Sequence, residues 1–252
     1  MFGKRKTPPP STPDPANQQG HEAVLAHLDR EEEANPQQRA QLVGRLLFDW
    51  ACEVLNDQQG VRMENLLAML ASVGGHLCLA PILDRLNAEG RHPKDVGMLE
   101  VEVADGRKFY FGDLPNALLV ERPDSLISLA FGAAQSVGAN VSVEMIHAEM
   151  KKVAGEVGKS DEEFFALDLP ERNRTDSPLN WAKAFTPHVV RNCDLYRLDA
   201  MQRPTAIGFA LYRAIEAGKT SIDPNVAASL VLQCAVRMAK VDPAKVRGRS
   251  DL

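Results

Sequence analysis

Apolar residues recur along most of this chain at steps of three and four, and in one short stretch they alternate instead. The longer pattern appears in residues 46–73, 126–153 and 207–234. In each, an apolar residue opens a helix (Leu46, Leu126, Ile207), and a β-branched residue stands 15 positions later (Val61, Val141, Ile222). Apolar or small residues then follow on a second helix: Leu66, Leu70 and Val73; Ile146, Met150 and Val153; Ala227, Val231 and Cys234. Such steps set side chains on one helical face. The pattern predicts a mainly α protein, a helical bundle of antiparallel helix pairs. The spacing of 80 and then 81 residues suggests duplication. The segments between the pairs differ, however, and any antiparallel pair would show similar steps, so coincidence is the preferred account.

Local signals refine this outline. Residues 22–33 read as a polar first helix. Residues 37–56 read as a strong one, with Leu42, Leu46, Trp50 and Val54 four apart. A third helix over 63–73 is expected to bend at Gly74-Gly75 before continuing over 76–87. Residues 125–137 and 141–157 form the next two, and Ser160-Asp-Glu-Glu163 has the form of a capping box. Further helices are expected over 181–185, after Pro187, over 204–217 and over 224–240. The last ten residues read as frayed.

The alternating stretch covers about residues 98–112. Leu99, Val101 and Val103 alternate with Glu100 and Glu102; Phe109 and Phe111 alternate with Lys108 and Tyr110. A three-residue loop, Ala104-Asp105-Gly106 with Gly106 left-handed, pairs Val101 with Phe109, Leu99 with Phe111 and Glu102 with Lys108. A two-residue Asp-Gly turn would set Glu102 opposite Phe109 and mix the faces. The chain is therefore expected to carry one small β-hairpin whose apolar face packs on the helices. Leu118-Leu-Val120 reads as helix in preference to a third strand.

Composition bounds the partners. The chain has 252 residues, 44% hydrophobic and 25% charged, with a formal charge of −5. That is ordinary globular composition without a basic field, and no nucleic acid is expected as a partner. Cys52, Cys78, Cys193 and Cys234 lack CxxC spacing and read as reduced, packed thiols. With no apolar stretch behind the first residues, the expected location is cytoplasmic. Residues 66–83 and 126–143 carry no formal charge, but Gly74-Gly75, His76 and Pro81, and Gln135, Ser136 and Asn140, suit a buried helix pair better than a membrane span. No integral span is expected.

Four regions result. Residues 1–20 are a proline-rich disordered tail. In it, Pro10-Ser-Thr-Pro13 matches a PxxP ligand, and Lys4, Arg5 and Lys6 could make weak peripheral membrane contact. Residues 21–158 form a helical region with the hairpin, residues 159–180 a charged linker or loop, and residues 181–252 a C-terminal helical region able to share one core with 21–158.

The chemical signals are sparse. No phosphate-binding loop, dinucleotide fingerprint, nucleophile elbow or HExxH helix is present. Gly74-Gly75-His76-Leu77-Cys78 offers a histidine with backbone freedom, for which a bend with a hydrogen-bonded His76 and a packed Cys78 is the plainer reading. Asp113, at the end of the second strand, could act as a base or simply cap a helix. His188 and Cys193 are poorly spaced for a catalytic pair. Arg191, Arg197, Arg203 and Arg213, with Tyr196 and Tyr212 between them, could stack and bind nucleic acid, but surface charge pairing accounts for them better. No cofactor or metal is expected. The leading expectation is a non-enzymatic protein acting through protein–protein interaction or scaffolding, with a protein partner or homo-oligomerisation. The alternative is a small-molecule enzyme, a hydrolase for instance, with a pocket near the two weak catalytic candidates, His76 and Asp113.

Overall fold

The computed structural model describes residues 15–247, so Lys4, Arg5, Lys6 and the PxxP motif lie outside the described residues. The chain divides into two compact units at Arg39/Ala40. The first contains α1 (Pro15–Glu31), which begins inside the segment read as tail. There the Arg39 guanidinium holds Asp29 at 2.6 Å and Glu32 at 3.1 Å.

The second unit carries the body of the protein, a mainly α fold with one hairpin. Its helices are α2 (Gln38–Leu55, entering from the first unit), α3 (Met63–Ala88), α4 (Asp113–Asn116), α5 (Leu126–Ser136), α6 (Val143–Gly155), α7 (Asp161–Phe164), α8 (Pro178–Leu195), α9 (Arg203–Gly218), α10 (Pro224–Met238) and α11 (Ala244–Arg247). Helix α4 runs on into a π-helical turn at Ala117–Glu121, so Leu118–Val120 is helical. Side chains cap several helices, among them the capping box expected at residues 160–163. Ser125 and Ser177 accept from the backbone N–H groups of Ser128 and Asn180, Asp223 accepts from Asn225 and Val226, and Ser160 and Glu163 form a reciprocal capping box.

The partners of the helices differ from the expected ones. Helix α3 lies at the centre, against α8, α9 and α10, while α5 packs on α9 and α10. Antiparallel packing joins α3 to α9: Met63 meets Gly218 and Gly74 meets Ile207. Helices α5 and α9 instead run in the same direction, since the Thr205 hydroxyl donates to the Asp124 carbonyl at 3.0 Å and Gly208 abuts Leu129. None of the larger interfaces among the described residues joins α2 to α3, α5 to α6 or α9 to α10. Apolar periodicity selects the face a helix buries and leaves the partner open.

The pattern also misplaces some details. Helix α3 runs unbroken through Gly74-Gly75, correcting the expected bend. A Cβ at Gly74 would stand 2.8 Å from a Leu126 methyl carbon, and one at Gly75 would collide with the Ala235 backbone, so the glycines serve close approach of α5 and α10. Helix α8 likewise passes through Pro187, on an exposed face where water can take the carbonyl that the missing N–H leaves. Helix α2 buries Ala40, Val43, Leu47 and Ala51, the rows beside the expected one, and leaves Val54 exposed. The segment expected to fray contributes α11, whose Val246 is buried.

The hairpin, β1 (Leu99–Glu102) and β2 (Lys108–Phe111), has the predicted register, with Leu99 opposite Phe111 and Val101 opposite Phe109. The three-residue loop closes with the Val103 N–H on the Arg107 carbonyl at 2.9 Å, and Gly106 has φ +81°. The outer edge of β2 is bonded to the chain that follows α10, the Tyr110 N–H donating to the Lys240 carbonyl at 2.8 Å. Phe109 packs on Phe164, with ring centroids 5.0 Å apart.

One apolar cluster extends from Ala40 to Val246 and passes through the charged segment 159–180, where Phe164 and Phe165 are buried. That segment is fastened to α10. The Gln233 carboxamide accepts from the Asp168 N–H at 2.7 Å and donates to the Asp168 carbonyl at 3.1 Å. Arg237, wholly buried, donates to the Phe164 carbonyl at 2.9 Å and pairs with Glu149 and Glu156. Among the described residues, only α3 is long and apolar enough by length and composition to cross a membrane, and its most apolar 18-residue window is entirely buried within the fold.

Candidate functional site

A cavity of about 510 Å³ opens where the middle of α3 meets α8, the start of α9 and α11. Its polar lining comprises His76, Asp84, Lys183, Thr186, Arg203 and Arg247; Leu77, Ala80, Val190 and Val246 supply apolar wall. Helix α3 presents His76, Ala80 and Asp84 at steps of four, which is why they share the cavity. Helix α8, continuous through Pro187, adds Thr186 and Val190.

Three of these side chains carry a buried polar atom with no hydrogen-bond partner among the described residues: His76 Nδ1, Thr186 Oγ1 and Arg203 Nε. A buried polar group without a partner costs about 1–3 kcal/mol, and each of these atoms is sealed from the cavity space as well as from solvent. His76 is 1% exposed and Thr186 9%. A second cavity, lined by Glu64, Asn173 and Asp223, has a single such atom among the described residues, Asn173 Oδ1.

The charges around the cavity are largely matched. Both Arg247 Nη atoms donate to the Asp84 carboxylate, at 2.8 and 2.5 Å. Arg203 Nη2 donates to Asp194 at 2.8 Å. Lys183 is exposed and has no ion pair among the described residues. Burial, aided by the neighbouring Arg247 cation and opposed by Asp84, pushes the His76 imidazole down to about 4. It is therefore neutral at pH 7, with one ring nitrogen donating and the other accepting.

Asp113 does not join this site. It is exposed at the first residue of α4, Gly112 occupies the cap position, and Asp113 is absent from the cavity wall. His188 and Cys193 are also separated: His188 lies exposed beside the Trp50 ring, whereas Cys193 is buried. Of the basic residues set among tyrosines, Arg203 belongs to the cavity and Arg213 stands over the Phe48 ring at 5.5 Å. Thr186, Lys183, Asp84 and Arg247 carry no local sequence signal; only their convergence on His76 makes them a site.

Other titratable groups have structural surroundings. Burial pushes the Cys193 and Cys234 thiols up to about 12 and raises Cys78 further. Lys240, 3% exposed, is brought down to about 8 by burial while its ammonium donates to Asn116 at 2.7 Å. Among the described residues, no group of three or more His, Cys, Asp and Glu side chains could hold a metal ion. No protein-family model, no curated protein and no solved structure matches this chain.

Proposed function

We propose that this protein binds a small molecule in the cavity beside His76 and acts through that binding. The observation that carries the reading is one cavity of about 510 Å³ whose lining joins an apolar wall to His76, Asp84, Lys183, Thr186, Arg203 and Arg247. Its size falls within the range of small-molecule sites, about 300–1,000 Å³, and its mixture of apolar wall with few polar groups is typical of them. Binding accounts for the chemistry better than catalysis does. A histidine held near 4 is a weak base at neutral pH, and thiols held near 12 are not nucleophiles there. The large apolar side chains exposed among the described residues, such as Leu99, Val143 and Leu195, belong to different elements and need no partner surface to explain them.

Ala200 gives the test. It lies half-buried in a short 3₁₀ turn on the cavity wall, so phenylalanine there fills the cavity without touching the core of α3. A thermal-shift screen of a metabolite library is expected to find compounds that stabilise the parent and not Ala200→Phe. A parent that no compound stabilises, or compounds that stabilise both equally, would overturn the reading.

A further inference from the structure

We propose that the outer edge of β1 takes an extended partner segment in which basic and apolar residues alternate. This surface is separate from the His76 cavity, whose wall includes no residue of β1. Along an antiparallel strand, successive residues turn their main-chain groups first towards the neighbouring strand and then away from it. Two bonds on the far side of β2 fix the phase. The Tyr110 N–H donates to the Lys240 carbonyl at 2.8 Å, and the Lys108 carbonyl accepts from the Asp242 N–H at 3.2 Å. Tyr110 and Lys108 therefore turn their main chain away from β1. The residues opposite them, Glu100 and Glu102, turn theirs away from β2. One edge of the hairpin is thus covered by residues 240–242 and the other is open. Among the described residues, no hydrogen bond from outside the hairpin reaches the N–H or carbonyl of Glu100 or Glu102. Leu99 and Glu102 are exposed, and Glu100 and Val101 are half-buried. What points to a partner is this row of unpaired main chain; the exposure of Leu99 alone would not.

Charge selects the occupant. Glu100 and Glu102 share one face of the hairpin with Lys108, whose ammonium stands 2.7 Å from Glu100 and 3.8 Å from Glu102. Asp242 acts on the same ammonium, while Lys240 is turned inward to Asn116. One cation against these carboxylates leaves the face negative. Pairing β1 with β1 of a second copy would bring the same carboxylates together, which destabilises a sheet. Lysine or arginine in the incoming strand relieves that repulsion. On the opposite face, Leu99 and Val101 continue the apolar row of Phe109 and Phe111, so the alternate positions of the partner must be apolar. The main chain of Glu100 and Glu102 would bond any added strand; the alternation supplies the selectivity.

Fluorescence anisotropy of the full chain with short, labelled, end-blocked peptides tests this. A peptide alternating valine and lysine is expected to bind, and one alternating valine and glutamate is not. A peptide of the first composition, with its valines and lysines grouped in two blocks, should bind about tenfold more weakly. Bound peptide should slow hydrogen exchange at the Glu100 and Glu102 amides of the parent. Glu102→Lys should weaken binding about fivefold. Glu102→Pro removes one outward N–H, keeps the bonds between β1 and β2, and should abolish binding with the circular dichroism unchanged. Should that variant unfold, amide exchange in the parent decides. Failure of the valine–lysine peptide to bind overturns the proposal, as does equal binding of either other peptide. Unchanged exchange at Glu100 and Glu102, or a folded Glu102→Pro that binds like the parent, overturns it too. A concentration-dependent dimer that protects the same amides would assign the edge to a second copy and overturn the basic partner.

Discussion

Replacing Gly75 by alanine adds a single methyl group at the tightest crossing of the central helix. That methyl would collide with the Ala235 carbonyl oxygen and stand 2.8 Å from the carbonyl carbon and Cα of the same residue. Ordinary van der Waals contact begins at 3.4 Å, so clearing the two carbons alone parts α3 and α10 by about 0.6 Å, and clearing the nearer oxygen requires more. Backbone cannot rotate aside as a flexible side chain would. Overpacking of this kind costs about 1–3 kcal/mol, and alanine's better helix propensity offsets about 1 kcal/mol of it. With backbone as the obstacle the upper part of the range applies, for a net loss of about 1–2 kcal/mol. Gly132 in α5 is the matched control. It is exposed, a Cβ there meets nothing within 4 Å, and alanine should stabilise by about 0.5–1 kcal/mol. Urea unfolding followed by far-ultraviolet circular dichroism reads both from the midpoints at a common slope. Should Gly75→Ala unfold at or above the parent midpoint while Gly132→Ala gains, close packing is not what that glycine provides.

Three further outcomes are expected. Arg237→Met leaves Glu149, itself 9% exposed, buried opposite an apolar side chain and should cost about 3–5 kcal/mol in the same urea assay; a loss below about 1 kcal/mol would contradict the pairing. His76 binds a proton near its ordinary 6.5 in the unfolded chain but only near 4 in the folded one. Between those values the unfolded state holds more protons, so stability falls as pH drops from 6.5 towards 4; His76→Leu should flatten the decline from 6.5 to 5, and parallel profiles would refute it. Finally, an aromatic disulfide reagent should modify half-buried Cys52 in the native protein and reach Cys78, Cys193 and Cys234 only on unfolding. Rapid modification of all four in buffer would show that the core is open.

What the sequence made legible was local. Glu102 and Lys108 allow one hairpin register that keeps the apolar faces together, and Gly106 supplies the left-handed turn it needs. Ser125, Ser160 and Asp223 mark helix starts because their oxygens satisfy backbone donors within three residues. The partners of α3 were not legible, since the same apolar stripe suits any facing helix. Gly74-Gly75 was ambiguous for a related reason: glycine signals freedom and close approach alike, and only the position of Ala235 decides. The site followed the same rule. His76 stood out, whereas Thr186, Arg203 and Arg247 reach it from distant parts of the chain through tertiary packing alone. Asp113 looked chemical because it follows a strand, and the structure places it exposed at the start of α4, away from the His76 cavity.

The central position of α3 has a consequence for biosynthesis. Its apolar surface is covered chiefly by α8, α9 and α10, the last of which ends at Met238, well after α3 itself ends at Ala88. At translation rates of about 5–20 residues per second, the ribosome needs roughly 8–30 s to supply that cover. For that interval a 26-residue helix that the fold buries along most of its length stands without its neighbours, and the nascent chain offers it to whatever else binds apolar helices. Chaperone demand should therefore concentrate on the early chain, and a truncation before α10 should aggregate rather than merely lose stability.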